Sequence, residues 1–340
     1  MIIPAYERAR MTIDALNSVL AQSYRPIEVI VVDDGSRSDL KGPIEHWSTQ
    51  AQTDEGFSVQ YLRTENNGAT VARNYGIRQS SGEFIQFLDN DDFLGQNKLT
   101  KQVAMMQNTV AKTAVYAASR VIYDDGENLT LRKLATPRTE HTLHHWLSGE
   151  AVHSHSLLWR RADICDLGPW QEDLAANQDG EYAMRFLMTG GRLAYCPDTV
   201  VYYRYHVGGP RSVSKAPSHK ANQSRYSVVE KIEQRLSATN DLDQYREELA
   251  RYYLRLAPKF ARYSPELSKA CLNKAKSLSP NSSISTVFPR HYVLIYRLAG
   301  MKWGDKFIDT LQRWKHQYLT GFLPNYTAVE NASSLYDPNR

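Results

Sequence analysis

Two groups of acidic residues are the first candidates for chemistry in this chain. Asp89, Asp91 and Asp92 follow the apolar run FIQFL, whereas Asp33 and Asp34 follow the run IEVIVV. Carboxylates set so close together repel one another and are costly to desolvate, so a bound cation is one way to offset that cost. Hard oxygen ligands suit Mg²⁺ or Mn²⁺ that also carries substrate phosphates. A solvated acidic turn that caps the next helix is the alternative.

The segments around these acids alternate between strand and helix patterns. A strand is predicted in MIIPA, a helix in RARMTIDALNSVLAQS and a strand in IEVIVV. The same order repeats in SVQYLRTE, GATVARNYGIRQSS and EFIQFLDNDD. This alternation predicts right-handed crossovers and a parallel sheet covered by helices on both faces. Ligands of such sheets bind beyond the carboxyl ends of the strands, which is where both acidic groups are expected.

Composition limits the class of protein. The chain has 340 residues, 42% of them apolar and 23% charged, which is typical of a globular protein with more than one structural unit. Three widely spaced cysteines without a CxxC pair argue against disulfides and favour a reducing, cytoplasmic setting. No apolar run approaches the roughly 20 residues of a membrane-spanning helix, and no signal-peptide pattern begins the chain. We expect a cytoplasmic protein, with the inner face of the membrane as an alternative location.

Charge and composition change along the chain. Residues 1–218 contain 22 Lys and Arg against 26 Asp and Glu, whereas residues 219–340 contain 19 against 11. The stretch HVGGPRSVSKAPSH, rich in Gly, Pro and Ser, separates the two parts, and helical patterns dominate after it. We predict a boundary near residue 215, with an α/β unit before it and a helical region, 216–340, after it. The basic surplus of the second part favours an acidic partner or an anionic membrane surface.

Five stretches of the chain resemble one protein family, the inverting family 2 glycosyltransferases of the GT-A fold. In order, they are IIPAYERARMTIDALNSVLAQSY, EVIVVDDGS, NNGATVARNYGIRQSSGEFIQFLDNDDFL, NQDGEYAMRFLMTGG and YYRYHVGGPRSVS. The resemblance implies an α/β fold with a GT-A-type, mostly parallel twisted sheet flanked by helices, followed by a mainly helical C-terminal extension. It divides the catalytic domain, 1–215, into a nucleotide-sugar half over about 1–120 and an acceptor half over about 121–215. Family members usually have several residues before the first strand, so either this strand is short or the natural start lies upstream of Met1.

The resemblance assigns the nucleotide to the first two strand ends. Pro4 and Tyr6 match the first turn that contacts the nucleotide, where Tyr6 is expected to stack on the base. Asp34 matches the position that bonds the base, usually uracil, and Asp33 matches the acid beside it, which holds the ribose or the loop. Arg73 matches a basic position near the donor phosphates. From the residues alone, the two acids could instead bond the turn's backbone, and Arg73 could be a solvated helix residue.

The D-x-D element of the family matches LDNDD. The resemblance makes Asp91 a direct ligand of Mn²⁺ or Mg²⁺ and places Asp89 and Asn90 on the donor side. Asp92 is expected to hold the turn. The metal would reach the site together with a nucleotide sugar.

The end of the last predicted strand supplies a second metal candidate. His206 in YRYHVGGPRSVS resembles a position that reaches the metal or the diphosphate. Arg211 and Ser212 are expected on the same phosphate-closing loop. Without the resemblance, a histidine after a strand is more often a local hydrogen-bonding residue.

The acceptor side is expected to begin at NQDGEYAMRF. Asp179 occupies the position of the family's catalytic base, and Gln178 stands where many members have Glu, which removes a charge. From its position alone, Asp179 could also satisfy free N–H groups at a helix start. We further expect Trp170 and His155 on the acceptor side.

These roles imply that the protein transfers a sugar from a nucleoside diphosphate sugar to a saccharide or lipid-linked saccharide of a surface polysaccharide or glycolipid. The donor is expected to be UDP-linked. Two other classes compete with this interpretation. A sugar-phosphate nucleotidylyltransferase would have a Gly-rich phosphate loop after the first strand, and PAYERAR has none. A non-catalytic protein that binds sugar nucleotides would keep its function after Asp179→Asn.

The C-terminal segment 287–322 interleaves Lys and Arg with Trp, Tyr, Phe and Ile. A basic and aromatic helix of this kind can lie in a membrane interface, which predicts peripheral membrane contact. Packing of its aromatic residues on the catalytic domain is the alternative. No nucleic-acid-reading motif accompanies the basic residues, so nucleic acid is not an expected partner.

Overall fold

A computed structural model describes residues 1–51, 55–125, 129–132, 137–206, 218–319 and 326–329 of the chain. Three parallel strands and the helices that follow them form the first part: β1 (Ile2–Ala5), α1 (Ala9–Leu20), β2 (Ile27–Asp34), α2 (Lys41–Ala51), β3 (Phe57–Thr64) and α3 (Ala69–Gln79). Apolar side chains of β2 pack against α1 and α2 on one face and against α3 on the other. Burial on both faces explains the nearly continuous apolar sequence of this strand.

Shorter strands and two long ones extend the sheet. In chain order, the further elements are β4 (Phe84–Gln86), β5 (Phe93–Leu94), α4 (Lys98–Gln107), β6 (Thr113–Asp124), β7 (Leu129–Arg132), β8 (Glu140–His141), α5 (Leu143–Leu147), β9 (Leu157–Arg160), α6 (Arg161–Leu167), α7 (Gln178–Met188) and β10 (Arg192–His206). A parallel bridge between Ile2 and Phe87 joins β1 to the end of β4. From β4 the pairing continues through β9 and β6 to β10, so the order β3-β2-β1-β4-β9-β6-β10 crosses one sheet.

The α/β fold predicted from the sequence is confirmed, but strand direction changes across the sheet. β1, β2 and β3 are parallel, as are β6 and β10, whereas β9 runs antiparallel to both neighbours. β5, β7 and β8 also pair in the antiparallel direction. RLAYCPDTVVYYRYH forms one long strand, β10. Its pairing with β6 is irregular only between Tyr195 and Val200, around Pro197, which has no N–H to donate.

The second part of the chain is helical, as predicted. It contains α8 (His219–Ala238), α9 (Leu242–Phe260), α10 (Pro265–Leu278) and α11 (Arg290–Leu319), followed by the strand β11 (Tyr326–Val329), which pairs with β7. Side chains of α8, α9 and α10 share one hydrophobic core with α5 and α7. The domain boundary near residue 215 falls outside the described residues and stays a prediction. Among the described helices, none combines the length and the apolar character needed to cross a membrane.

Lys98, at the start of α4, is fully buried. Its Nζ donates hydrogen bonds to the side-chain oxygens of Gln86 and Gln102. The amide groups of these glutamines donate in turn to the carbonyl oxygens of His155 and Ser156. Burial lowers the pKa of Lys98 to about 7. One buried polar network therefore joins β4 and α4 to the turn at residues 154–156.

The pKa of Lys98 generates a prediction about stability. Its folded value, about 7, lies below the ordinary value of 10.5, so the unfolded chain binds the proton more tightly between these pH values. The free energy of unfolding should therefore gain a contribution that grows as pH rises through this window, and Lys98→Met should remove it. The substitution also leaves two buried amide oxygens without a donor, which should cost about 2–4 kcal/mol. Urea unfolding at a series of pH values measures both effects.

Lys101→Met is the matched control, because Lys101 is exposed on the same helix. It should change the free energy of unfolding by no more than about 0.5 kcal/mol. An identical pH dependence in the wild type and in Lys98→Met would show that the buried lysine keeps an ordinary pKa.

Candidate active site

Both acidic groups lie at the same edge of the sheet. Asp33 and Asp34 end β2, and residues 89–92 follow β4, whose end is bridged to β1. The loop after β1 connects the two groups, because Asn90 Nδ2 lies 3.4 Å from the carbonyl oxygen of Glu7. The sequence pattern predicted that both acidic groups lie at strand ends, and in the structure these strand ends are close together.

Asp33 holds the loop that follows β2. One carboxylate oxygen accepts the backbone N–H of Ser36 at 2.8 Å. The other accepts the hydroxyl of Tyr61 at 2.5 Å and a guanidinium N–H of Arg63 at 3.0 Å. The side chain of Asp33 is fully buried, and its hydrogen bonds hold the loop after β2 in place.

Asp34 fixes the start of α3. Its carboxylate accepts the backbone N–H of Asn67 at 2.8 Å and that of Gly68 at 2.9 Å and 3.1 Å. Burial raises the pKa of Asp34, and these two backbone donors act against the rise. Gly35 makes the approach of the two loops possible, since its φ is +71° and a Cβ there would lie 2.7 Å from the backbone nitrogen of Asn66.

The loop after β1 has a strained backbone. Glu7 and Arg8 have φ values of 55° and 58°, a left-handed conformation that side-chain-bearing residues rarely adopt. Hydrogen bonds to the next loop offset the cost of this strained backbone. The Glu7 carboxylate accepts the backbone N–H of Arg37 at 2.7 Å and that of Ser38 at 3.2 Å. The Glu7 N–H donates to the hydroxyl of Ser36 at 2.8 Å. This conformation directs Arg8 toward the acids after β4.

Arg73 is the central cation of the site. It is 5% exposed, so the solvated-helix alternative is wrong. One guanidinium nitrogen lies 2.6 Å from Asp89, and another lies 3.8 Å from Asp179. Burial works against ionisation of Asp89, but Arg73 keeps its pKa below the ordinary value. Burial raises the pKa of Asp179, and Arg73 limits that rise.

Asp91 lies between the side chains of Arg8 and His206. Arg8 forms an ion pair with one of its carboxylate oxygens, and His206 Nε2 lies 3.4 Å from the same oxygen. His206 is at the end of β10, 115 positions away in sequence. The two residues predicted as metal ligands are therefore neighbours in space.

Asp92 connects the acidic turn to β10. One carboxylate oxygen accepts the backbone N–H of Arg204 at 2.8 Å, and the other lies 3.0 Å from His155 Nδ1. The imidazole of His155 stacks on Tyr203, with an angle of 8° between the ring planes. Burial raises the pKa of Asp92 well above its usual range, with the charges of the neighbouring acids adding to the effect. The Asp92 side chain thus fixes the end of β10 beside the acidic turn.

Two groups of side chains contain ligand atoms that are suitable for a cation. Ligand atoms of Asp89, Asp92 and His155 lie within 4.8 Å of one another, and Asp91 lies beside His206. Asp92 and His155 are only 1% and 3% exposed, which leaves a cation at that position little room for substrate oxygens. The side chains of Asp91 and His206 are each 21% exposed. Carboxylate and imidazole ligands with open positions suit Mn²⁺, and carboxylates with substrate phosphates also suit Mg²⁺.

Two residues predicted on the acceptor side lie in the interior. Trp170 is 2% exposed, because its indole stacks on Tyr182 at 4.2 Å and lies under the guanidinium of Arg73 at 4.8 Å. His155 is 3% exposed and faces Asp92. A large aromatic ring gains more from burial than from exposure, so Trp170 supports Arg73 and does not reach an acceptor directly.

The remaining predicted residues have different surroundings. Pro4 is buried within β1, whereas Tyr6 is 39% exposed in the loop that follows. Asn90 donates to the hydroxyl of Thr12 at 3.0 Å and thereby holds the acidic turn against α1. Gln178 begins α7, and its amide donates to the carbonyl oxygen of Leu174 at 2.9 Å.

The sequence patterns missed two contributors to the site. Arg8 gave no signal, because a charged residue after a strand is usually solvated. Arg204 could have been noticed as a charge inside the apolar strand pattern VVYYRYH, since a buried charge needs partners. Arg211 and Ser212, expected on the phosphate-closing loop, lie outside the described residues.

Removing Arg73 should change the pKa of Asp179. In Arg73→Met the desolvation of the Asp179 carboxylate and the charge of Asp89 remain, but the nearest positive charge is gone, so the pKa of Asp179 should rise further. Carboxyl carbon chemical shifts measured by NMR across a pH titration report this value directly.

Arg78→Met is the matched control, because Arg78 is exposed at the end of the same helix. It should leave the Asp179 titration unchanged. Equal titration curves for Asp179 in the wild type and in Arg73→Met would contradict the electrostatic coupling described above.

Comparisons with known proteins agree with this architecture. The model of the family described as Glycosyl transferase family 2 matches residues 1–167. An uncharacterized glycosyltransferase of Rickettsia conorii is 33% identical over 184 residues, which cover 53% of this chain and 29% of the relative. A Bacillus subtilis protein named for a glycosyltransferase role in teichuronic acid biosynthesis, TuaG, is 37% identical over 106 residues, 31% of this chain and 40% of the relative. The chain thus spans less than half the length of these relatives.

Solved structures share the fold at low sequence identity. S. aureus TarS in complex with UDP-GlcNAc has a TM-score of 0.55 at 17% identity, over 82% of this chain and 89% of that one. GalNAc-T7 with UDP, GalNAc and Mn²⁺ has a TM-score of 0.53 at 17% identity, over 80% of this chain and 54% of that one. These similarities confirm the GT-A fold expected from the sequence. Residues 1–167 of this chain belong to glycosyl transferase family 2.

Proposed function

We propose that this chain is an inverting glycosyltransferase that moves a sugar from a UDP-linked donor to a hydroxyl group of an acceptor. The observation that carries the proposal is the buried guanidinium of Arg73, which lies between Asp89 and Asp179. A cation in this position can serve a phosphate-bearing donor on one side and a basic carboxylate on the other. Membership of residues 1–167 in glycosyl transferase family 2 supports the same reaction.

Asp179 is the proposed base. The acceptor oxygen forms a bond to the anomeric carbon while the bond from that carbon to the diphosphate oxygen breaks, and Asp179 accepts the hydroxyl proton. Attack from the face opposite the leaving group inverts the configuration. Arg73 and the helix N-terminus favour the ionised carboxylate, which is the form that a base requires.

The nucleotide is proposed to bind beside the ends of β1 and β2. Tyr6 has an exposed ring that can stack on the base, and Pro4, Asp33 and Asn90 fix the surrounding loops. Asp34 accepts three backbone contacts, whereas a carboxylate has about four acceptor positions, so it can still accept an N–H of uracil. The UDP-GlcNAc bound by TarS and the UDP bound by GalNAc-T7 support a uridine donor.

We propose that Asp91 and His206 hold Mn²⁺ or Mg²⁺, with Asp89 facing the donor. When bound, the cation compensates the negative charge of the departing diphosphate. The exposure of Asp91 and His206 and the Mn²⁺ in the GalNAc-T7 structure support this proposal. In the described conformation Arg8 pairs with Asp91, so Arg8 has to release this carboxylate before a cation can bind it.

The acceptor is proposed to be a saccharide or lipid-linked saccharide of a surface polysaccharide or glycolipid, used at the cytoplasmic face of the membrane. Gln178, which precedes the proposed base at the start of α7, is proposed to contact the acceptor. The name of the B. subtilis relative, which refers to teichuronic acid biosynthesis, supports a surface polymer.

Asp179→Asn separates catalysis from donor binding. The substitution removes the base but keeps the shape, so transfer should slow by about 10²- to 10⁴-fold while donor affinity changes only slightly. Release of UDP from a panel of UDP-sugars measures turnover, and thermal shift with the same panel, with and without Mn²⁺, measures binding.

Asp173→Asn is the control, since Asp173 is an exposed acid just before α7. It should retain wild-type turnover. The proposal fails if no nucleoside diphosphate or its sugar stabilises the wild type in a metal-dependent way. Unchanged turnover in Asp179→Asn would leave the family fold intact but remove Asp179 from the mechanism.

Arg8→Ala should affect metal and donor binding in opposite directions. Without donor, Asp91 loses a competing cation, so Mn²⁺ should bind about two- to fivefold more tightly, the scale of a partly exposed ion pair. With donor, loss of a guanidinium near the diphosphate should weaken UDP binding. Electron paramagnetic resonance of free Mn²⁺ and calorimetry with UDP measure the two affinities.

Arg10→Ala provides the comparison, because Arg10 is an exposed arginine two positions further along the chain. It should change neither affinity. Weaker Mn²⁺ binding by Arg8→Ala in the absence of donor would contradict competition between Arg8 and the metal.

A further inference from the structure

Most of the exposed large apolar side chains of the described residues belong to one helix, α11. They are Leu294, Leu298, Trp303, Phe307 and Leu311, with exposures from 46% to 79%. They recur at four-residue steps on each side of Gly300, where the helix kinks with φ 68° and ψ 162°. Spacing of four residues aligns side chains on one face of a helix, so each arm of α11 carries an apolar stripe.

Residues 290–299 and 301–311 of α11, on the two sides of Gly300, border an apolar groove. Its volume is about 500 Å³, and Ile295 and Leu298 from the first arm face Trp303 and Phe307 from the second. Another face of the helix is already packed, since Tyr296 and Ile308 are only 8% and 6% exposed. One side of α11 is therefore packed against the protein. The apolar stripes and the groove lie on an exposed side.

Basic side chains surround the groove. Arg297, Lys302 and Lys306 are exposed, and the Nζ atoms of the two lysines lie 5.5 Å and 5.4 Å from the ring centre of Trp303. Asp305, between the two lysines in sequence, is half-buried. The part of the chain to which α11 belongs, residues 219–340, contains 19 Lys and Arg against 11 Asp and Glu. The open face is thus both apolar and cationic.

We propose that this groove docks on the surface of an anionic lipid bilayer. Acyl chains would lie against Leu298, Trp303 and Phe307, and Lys302 and Lys306 would lie among the headgroups. Trp is favoured at this boundary, and basic residues beside an apolar face bind anionic interfaces. A second copy of the chain fits less well, because a symmetric contact would bring the lysines of both copies together. The inference does not depend on the proposed glycosyl transfer.

Vesicle flotation of the full chain tests the proposal. The protein should float with vesicles of phosphatidylcholine and phosphatidylglycerol, less with phosphatidylcholine alone, and less at high salt, which screens the lysines. Trp303→Ala combined with Phe307→Ala should lower the bound fraction about tenfold or more, since two large apolar side chains are lost. Lys302→Gln with Lys306→Gln should weaken binding roughly fivefold per lysine on anionic vesicles only.

Val110→Ala is the matched control, because Val110 is 71% exposed outside α11. It should float like the wild type, and thermal unfolding should confirm that every variant is folded. Absence of flotation with both vesicle types, or wild-type flotation of the Trp303 and Phe307 double variant, overturns the proposal. A dimer in analytical ultracentrifugation that the double variant abolishes, without vesicle binding by the wild type, would assign the face to a second copy.

Discussion

The site depends on the compensation of negative charge at one edge of the sheet. Asp89 and Asp179 come from different elements, and the guanidinium of Arg73 lies between them, 2.6 Å from one and 3.8 Å from the other. Without this cation, burial and mutual repulsion would favour protonation of both acids. Arg8, from the loop after β1, forms an ion pair with Asp91 in the same group of acids. At this edge of the sheet, buried and half-buried acids and arginines thus compensate one another's charge.

Hydrogen bonds between distant loops keep these charges in place. Glu7 joins the loop after β1 to the loop after β2, and Asn90 joins the acidic turn to α1. Asp92 accepts the backbone N–H of Arg204, 112 positions away, and so fixes the strand end that carries His206. Each of these contacts uses a polar group that would be costly to bury alone. The loops that form the site therefore supply hydrogen-bond partners for one another's polar groups.

The helical region also supports the site. The backbone N–H of Ala175, in the segment that leads into α7, donates to the hydroxyl of Ser224 on α8 at 2.9 Å. Gln171, in the same segment, accepts a hydrogen bond from Lys231 of α8 at 2.8 Å. These contacts hold the segment that precedes Asp179. The same helical region carries the apolar and cationic face of α11. The contacts that support the proposed base and the proposed membrane contact therefore belong to one part of the chain.

The sequence by itself determined the alternating order of strands and helices, the acids at strand ends and the family to which residues 1–167 belong. These features depend on local periodicity and on motifs whose residues are close in sequence. Only the tertiary structure decided the partners: Arg73 became a buried bridge, Trp170 an interior support, and Asp92 a link to β10. It also decided the antiparallel direction of β9. Such contacts join residues far apart in the chain, and a sequence pattern carries no record of the distance between them once the chain has folded.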